Sequence, residues 1–278
     1  MNRRTTENLR PASSKARKPD EAQAKPSDAY VQSFARGLAV IRSFSAGTAS
    51  QTLSEVAART GLTRAGARRI LLTLQGLGYV QQDARAFFLT PRILDLGYAY
   101  LSTMPLWNLA EPVMEALVEQ VHESSSASVL DDIDIVYVLR VPTKKIMTIN
   151  LAIGSRLPAY CTSMGRVLLG GLSEEALDAT LARSDLRMRT ARTVIDPEQI
   201  KAIVQADRKR GYSVINQELE EGLCSISVPI TGRSGNVMAA LNVSTQVTRT
   251  PPQQMAKRFL PALLDAAEKI NAALRLRT

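Results

Sequence analysis

The stretch Leu53-Ser54-Glu55-Val56-Ala57-Ala58-Arg59-Thr60-Gly61-Leu62-Thr63-Arg64-Ala65-Gly66-Ala67-Arg68-Arg69-Ile70-Leu71-Leu72-Thr73-Leu74 decides how the first third of the chain folds. It reads as a short helix, a tight turn at Gly61 and a second helix capped by Thr63. Ala57 is small where two crossing helices must approach, Gly61 supplies the turn geometry, and Leu62 plugs the shared core. Ile70, Leu71, Leu74 and Leu77 are expected to face inward on the second helix. That leaves Arg64 and Arg68 one turn apart on the wet side, with Arg69 beside them. This is the layout of a helix-turn-helix whose second helix enters the major groove of DNA N-terminus first.

Working outward, Gly78 ends that helix, and Tyr79–Gln82 and Phe87–Leu89 bracket Asp83-Ala84-Arg85-Ala86. A hairpin in this place makes the motif winged, with Arg85 at the wing tip. Upstream, Val31, Phe34, Leu38, Ile41 and Phe44 recur at three and four, which predicts a helix with these residues on its core face and Gly47 as its stop signal. Residues 1–29 are rich in Pro, Ser, Lys and Arg and predict a disordered basic tail.

The net charge of +9 is unevenly spread. Residues 1–29 carry +3, residues 30–90 carry +5 from seven Arg against Glu55 and Asp83, and residues 91–278 carry only +1. The guanidinium fork suits phosphates and guanine edges, so an all-Arg basic segment suggests a nucleic-acid partner, against the alternative of a basic face kept for solubility. Arg36, Arg42 and Arg85 are expected on phosphates. Thr63, Arg64 and Arg68, with Arg69 beside them, are expected to face the bases.

At 278 residues the chain has material for two domains, and no run approaches the ~18 apolar residues of a membrane span. The first residues carry no apolar segment of the kind a secretory signal needs. Two cysteines 63 positions apart, Cys161 and Cys224, fit a reducing, cytoplasmic setting. A single histidine, His122, disfavours His-dependent triads and His-rich metal sites, and it reads as a wet helix-end residue. Nor is there a GxGxxG after a strand, a Walker-type loop, a metal-binding His pair or a nucleophile elbow, so an enzyme is disfavoured. RNA is disfavoured by the lack of an aromatic platform on a basic face.

Thr90-Pro91 starts an apolar helix running to Met104-Pro105, with Thr90 as cap. Its partner surface is a second copy or its own chain. Beyond it, Leu109, Val113, Leu117 and Val121 form an apolar stripe, and Glu111, Glu115, Glu119 and Glu123 an acidic one, read as a solvated face or a seat for a basic surface. Strands are expected at Ser126–Leu130, Ile135–Val141, Ile146–Ile153, Tyr212–Ile215, Cys224–Ile230 and Val237–Ser244, and helices after Thr162, at Ser173–Arg183, at Pro197–Arg210 and from Pro252 to Leu274. Gly154–Pro158 reads as a turn, and Asp131, Asp132 and Asp134 as a wet hairpin rather than a metal site. The fold class is α+β: a winged helix-turn-helix (30–90), a linker helix (91–106) and a domain with an antiparallel sheet covered by helices (107–278).

In this order the parts resemble the IclR family of transcriptional regulators. The resemblance spans about residues 30–275 and rests on Phe34–Ile41, the helix-turn-helix through Leu77-Gly78-Tyr79-Val80, Gly154–Arg166, and Gly211-Tyr212-Ser213 through Glu221–Ile230. Leu157-Pro158-Ala159-Tyr160-Cys161-Thr162-Ser163-Met164-Gly165-Arg166 and Arg140-Val141-Pro142-Thr143 look most like the regulators of protocatechuate, 4-hydroxybenzoate and β-ketoadipate catabolism. The resemblance implies a GAF-like effector-binding domain with pocket walls at Ser163, Met164, Asn216, Gln217, Cys224, Ser225, Asn242 and Ser244. Bottom-up, those hydroxyls and amides suit a carboxylate, and Met164 offers a soft wall for a ring. Arg140 is a charge partner or a surface ion-pair residue, and Cys224 a small wall residue rather than a nucleophile, having no adjacent base.

The function expected is sequence-specific regulation of transcription in response to a small organic acid, activating aromatic-acid catabolism genes. The alternative is a repressor of the same family that answers a non-aromatic carboxylate. Expected partners are double-stranded DNA, an effector of the protocatechuate, 4-hydroxybenzoate or β-ketoadipate class, further copies of the chain as a homodimer or tetramer, and RNA polymerase. No cofactor, metal or membrane is expected.

Overall fold

Thr52 and Thr63 set where the first helices begin. Helix α1 spans Gln32–Ser43, α2 Leu53–Thr60 and α3 Arg64–Gly76. The Thr52 hydroxyl accepts from the Glu55 N–H while the Glu55 carboxylate accepts the Thr52 N–H at 2.7 Å, a reciprocal capping box. Gly61 takes the left-handed conformation (φ +66°) that ends α2, and two residues later Thr63 caps α3 by accepting from the Gly66 N–H at 3.1 Å. The three helices meet on Val40, Val56, Ala57, Ala67, Leu71 and Leu74, all buried, with Leu62 partly buried beside them. A computed structural model supplies these coordinates and describes residues 29–103, 106–143 and 151–276.

Several inward positions differ from the sequence expectation. Only Ile41 and Phe44 of the α1 stripe pack on the core, whereas Val31, Phe34 and Leu38 are exposed, Phe34 by 68%. The buried residue is Val40, because α2 and α3 meet only the C-terminal half of α1. Helix α1 also stops at Ser43, before the expected Gly47. Leu77 is the residue after α3 and is exposed rather than inward. Gly78 (φ +82°) turns the chain into the wing, where β2 (Val80–Asp83) pairs with β3 (Ala86–Leu89). A two-residue strand, β1 (Gln51–Thr52), adds to the outer side of β3, giving the order β1-β3-β2.

A 3-10 turn at Pro91–Ile93 leads into α4 (Leu94–Thr103). Thr90 does not cap it; its hydroxyl donates to the Gly78 carbonyl at 2.5 Å. The expected helix end at Met104-Pro105 falls outside the described residues, as does the expected tail up to residue 28.

The chain divides into two compact units, residues 1–99 and 100–278. The second is built on a six-stranded antiparallel sheet. Its strands are β4 (Ser124–Asp131), β5 (Asp134–Val141), β6 (Arg156–Pro158), β7 (Ser213–Asn216), β8 (Leu223–Thr231) and β9 (Val237–Gln246), in the order β6-β5-β4-β9-β8-β7. Helices α5 (Leu106–Val121) and α9 (Pro252–Leu276) cover one face through Met114, Leu117, Met255, Phe259, Leu263 and Ile270. Each large apolar side chain buried there contributes about 1.5–3 kcal/mol. On the other face lie α6 (Ser163–Leu169), α7 (Glu174–Arg183) and α8 (Pro197–Arg210), around Tyr160, Met164, Leu168, Leu181 and Ile200. Gly165 lets α6 come close: a Cβ there would lie 2.1 Å from the Ala159 carbonyl oxygen.

Three expectations change in this unit. Glu123 leaves the acidic stripe: α5 ends at Val121, His122 (exposed) takes φ +58°, and Glu123 is buried with Arg249 at 3.4 Å, leaving Glu111, Glu115 and Glu119 exposed. Gly154–Pro158 is not all turn, since Arg156–Pro158 pairs with β5 as the edge strand. The expected strand Ile146–Ile153 falls outside the described residues up to 150, and 151–153 are not a strand.

Candidate nucleic-acid interface and small-molecule site

Arg64, Arg68 and Arg69 are exposed on α3, Arg64 in its first turn, while Ala67, Leu71 and Leu74 are buried against the core. Arg36 and Arg42 are exposed on α1, and Arg85 sits exposed in the two-residue wing turn after Ala84 (φ +50°). None of these six guanidinium groups bonds to another described residue, so all are free for phosphates or base edges. No acidic residue stands in the first turn of α3, which keeps the positive end of its dipole available to an anion. Thr63 is exposed, and its oxygen is committed to the Gly66 N–H, leaving its O–H to donate outward. Arg92, which sequence reasoning did not single out, instead donates to the Leu77 carbonyl at 3.0 Å and braces the base of the wing.

In the second unit the sheet face toward α6 is unusually polar. Cross-strand partners share a face, so one rung runs Arg140, Ser126, Asn242, Ser227 and Ser213 across β5, β4, β9, β8 and β7. The neighbouring rungs hold Tyr137 opposite Ser128, and Ser124, Ser244 and Ser225 in line. Strict alternation would put residues 137 and 140 on opposite faces. A register shift between Ala127 and Ser128 absorbs the extra residue, so Val138 and Leu139 both enter the α5/α9 core while Tyr137 and Arg140 both face α6.

Ser163 and Met164 open α6 above this face. The Ser163 hydroxyl is buried with no hydrogen-bond partner among the described residues. Ser128 donates only to the Met164 sulfur, at 3.3 Å, a weak acceptor. Asn242 is better satisfied: its carbonyl oxygen accepts the Ser126 N–H and its amide donates to the Ser244 oxygen, each at 2.9 Å. Tyr137 is 5% exposed, and its hydroxyl bonds to no described residue. Burial pushes its pKa up to about 12, only partly offset by Arg140, so it stays a neutral phenol.

Sequence-expected site residues therefore split into two groups. Arg140 (half-buried), Ser163, Met164, Ser225, Asn242 and Ser244 come together on the α6 side. Cys224 and Asn216 do not join them. They are register partners on the opposite face, with the Cys224 thiol donating to the Asn216 side-chain oxygen at 3.8 Å. Neighbouring strand residues point to opposite sides, so Cys224 and Ser225 cannot line one wall. Gln217 (φ +58°) closes its own loop, accepting from the Gly222 N–H and donating to Asn216. Tyr137 and Ser128 were missed because nothing in the apolar run of β5 announces the register shift.

Arg166, one turn into α6, is 2% exposed and donates to Glu218 at 2.7 Å and to the Tyr160 carbonyl. Thr190 and Thr193 donate to the Gln217 and Glu218 carbonyls, and the Tyr160 hydroxyl donates to that of Arg187. This buried web fixes the start of α6 and hence the height of Ser163 over the sheet. Both cysteines are buried, and burial pushes the Cys161 thiol up to about 11, so neither is poised as a nucleophile. Asp131, Asp132 and Asp134 pair with Arg156 and Arg183 at the surface, and no group of three or more metal-ligating side chains is found among the described residues.

Two family descriptions match: the bacterial transcriptional regulator IclR C-terminal domain over residues 98–272, and the IclR helix-turn-helix domain over residues 33–84. The chain is 45% identical to the Pca regulon regulatory protein of Pseudomonas putida, over 87% of this chain and 83% of that one. It is 32% identical to the p-hydroxybenzoate hydroxylase transcriptional activator of Acinetobacter baylyi, over 91% and 95% of the two chains. Among solved structures, a transcriptional regulator from Rhodococcus sp. RHA1 is similar with a TM-score of 0.79 and 51% identity, covering 88% of this chain and 98% of that one.

Proposed function

Because the chain belongs to the IclR family of transcriptional regulators, DNA-binding proteins rather than enzymes, we propose that it activates aromatic-acid catabolism genes when a small organic acid occupies the polar sheet face under α6. The names of its relatives, a Pca regulon regulator and an activator of p-hydroxybenzoate hydroxylase, support an effector of the protocatechuate, 4-hydroxybenzoate or β-ketoadipate class. The observation that carries the site is the buried Ser163 hydroxyl, unpartnered above a sheet face of serines and Asn242 that Arg140 also faces. Buried hydroxyls rarely lack partners, and a carboxylate held by Ser163, Ser244 and Arg140 would supply one.

In this reading Arg64, Arg68, Arg69 and Thr63 read base edges, while Arg36, Arg42 and Arg85 hold phosphates. The protein works in the cytoplasm as a homodimer or tetramer, and it contacts RNA polymerase when it activates. Self-association is supported by the exposed apolar residues Phe34 and Leu38 of α1 and Leu94, Leu96, Tyr98 and Tyr100 of α4. In this reading the DNA-binding part is 30–90, the linker helix 91–106 and the effector-binding domain 107–278.

A thermal-shift series tests the site. Protocatechuate, 4-hydroxybenzoate or β-ketoadipate at 100 times its dissociation constant should stabilise the protein by about 2.7 kcal/mol. Ser163→Leu should abolish that shift and leave operator binding intact. A normal shift in this variant would place the effector elsewhere.

A further inference from the structure

We propose that Tyr137 sets effector specificity: its hydroxyl donates a hydrogen bond to a second oxygen of the effector, a ring hydroxyl or a ketone, lying across the site from the carboxylate. The inference rests on the effector reading of the α6-side sheet face. Three observations carry it. The register shift in β5 turns Tyr137 onto the same face as Arg140, next to Ser128, which touches Met164. The side chain is 5% exposed, yet its hydroxyl bonds to no described residue. Ser126 and Ser128, the β4 partners of Arg140 and Tyr137, are two residues apart on one strand, so the two polar groups rise from rungs about 7 Å apart. That separation suits a molecule with an anion at one end and an oxygen acceptor at the other.

A phenol held neutral by burial keeps its proton and so has a donor to offer an acceptor on the effector. An acid without that oxygen leaves the donor without a partner on the effector, which is how a largely buried donor discriminates.

Calorimetric titration of the full chain with matched pairs tests this: benzoate against 4-hydroxybenzoate, and adipate against 3-oxoadipate. The native protein should bind the oxygen-bearing member of at least one pair about ten- to a hundredfold more tightly. Tyr137→Phe removes no hydrogen bond to another described residue, so its melting temperature should be unchanged. It should erase that preference while binding the oxygen-free acid as before. A preference that persists in Tyr137→Phe overturns the role of Tyr137 alone. Failure of the native protein to bind any of the four acids overturns the effector reading with it.

Discussion

Gly165 sits where α6 touches the Ala159 backbone, and there a single methyl group has no room. Gly165→Ala should destabilise the protein by about 1–3 kcal/mol, as overpacking does, and weaken effector binding, because Ser163 would shift with the helix. Denaturant unfolding with and without acid checks both. Cys161 and Cys224 make a different prediction. With both thiols buried and their pKa values pushed up by burial, a thiol reagent at pH 8 should leave the native protein unlabelled and modify both cysteines after unfolding. At this scale the sequence was legible where a residue type has one local use. Thr63 as a cap, Gly61 as a left-handed helix end, and Ser173 and Asp196 as caps of α7 and α8 are such cases. It was not legible for Cys224 against Ser225, nor for Glu123, because which face a side chain takes depends on strand register and helix end rather than on its neighbours in the chain.

At the scale of the element, α3 is the best-read part of the molecule. Its period of 3.6 gathers Ala67, Leu71 and Leu74 on one stripe and sets Arg68 and Arg69 off it, while Arg64, which shares that stripe by spacing, is exposed as the first residue of the helix. Arg68→Ala should cost about 1–3 kcal/mol at one base pair and relax preference there. Arg85→Ala, at the wing tip, should weaken all sequences alike and reduce the salt slope by about one. A panel of single-base operator variants measured at two salt concentrations separates these outcomes; unchanged selectivity in Arg68→Ala would count against α3 as the reader. Helix α1 was misread for a physical reason. Its apolar spacing is real, but α2 and α3 reach only its C-terminal half, so periodicity found the stripe and not what covers it. Strand β5 hid Tyr137 in the same way, since a bulge breaks the alternation from which a face is read.

At the scale of the whole molecule, the Arg-rich head and the hydroxyl-lined sheet face proposed for the effector belong to separate units, and regulation requires a coupling free energy between them. The charge asymmetry of the chain, with +5 in residues 30–90 and +1 beyond, pointed to a polyanion partner for that segment but left a basic face kept for solubility open, and the helix-turn-helix decided between them. Ligand identity had no such signature, because the groups proposed to set it come together from β4, β5, β9 and α6. The mechanism we propose is population shift: the acid favours one arrangement of the protein, and that arrangement fits the promoter differently. The most direct test is a titration of promoter DNA at fixed salt, without and with saturating 4-hydroxybenzoate or protocatechuate. A change of about 5- to 150-fold in operator affinity, with the acid recovered unaltered, is the predicted result. Identical affinity in both titrations, with the acid shown to be bound, would contradict coupling between the two units.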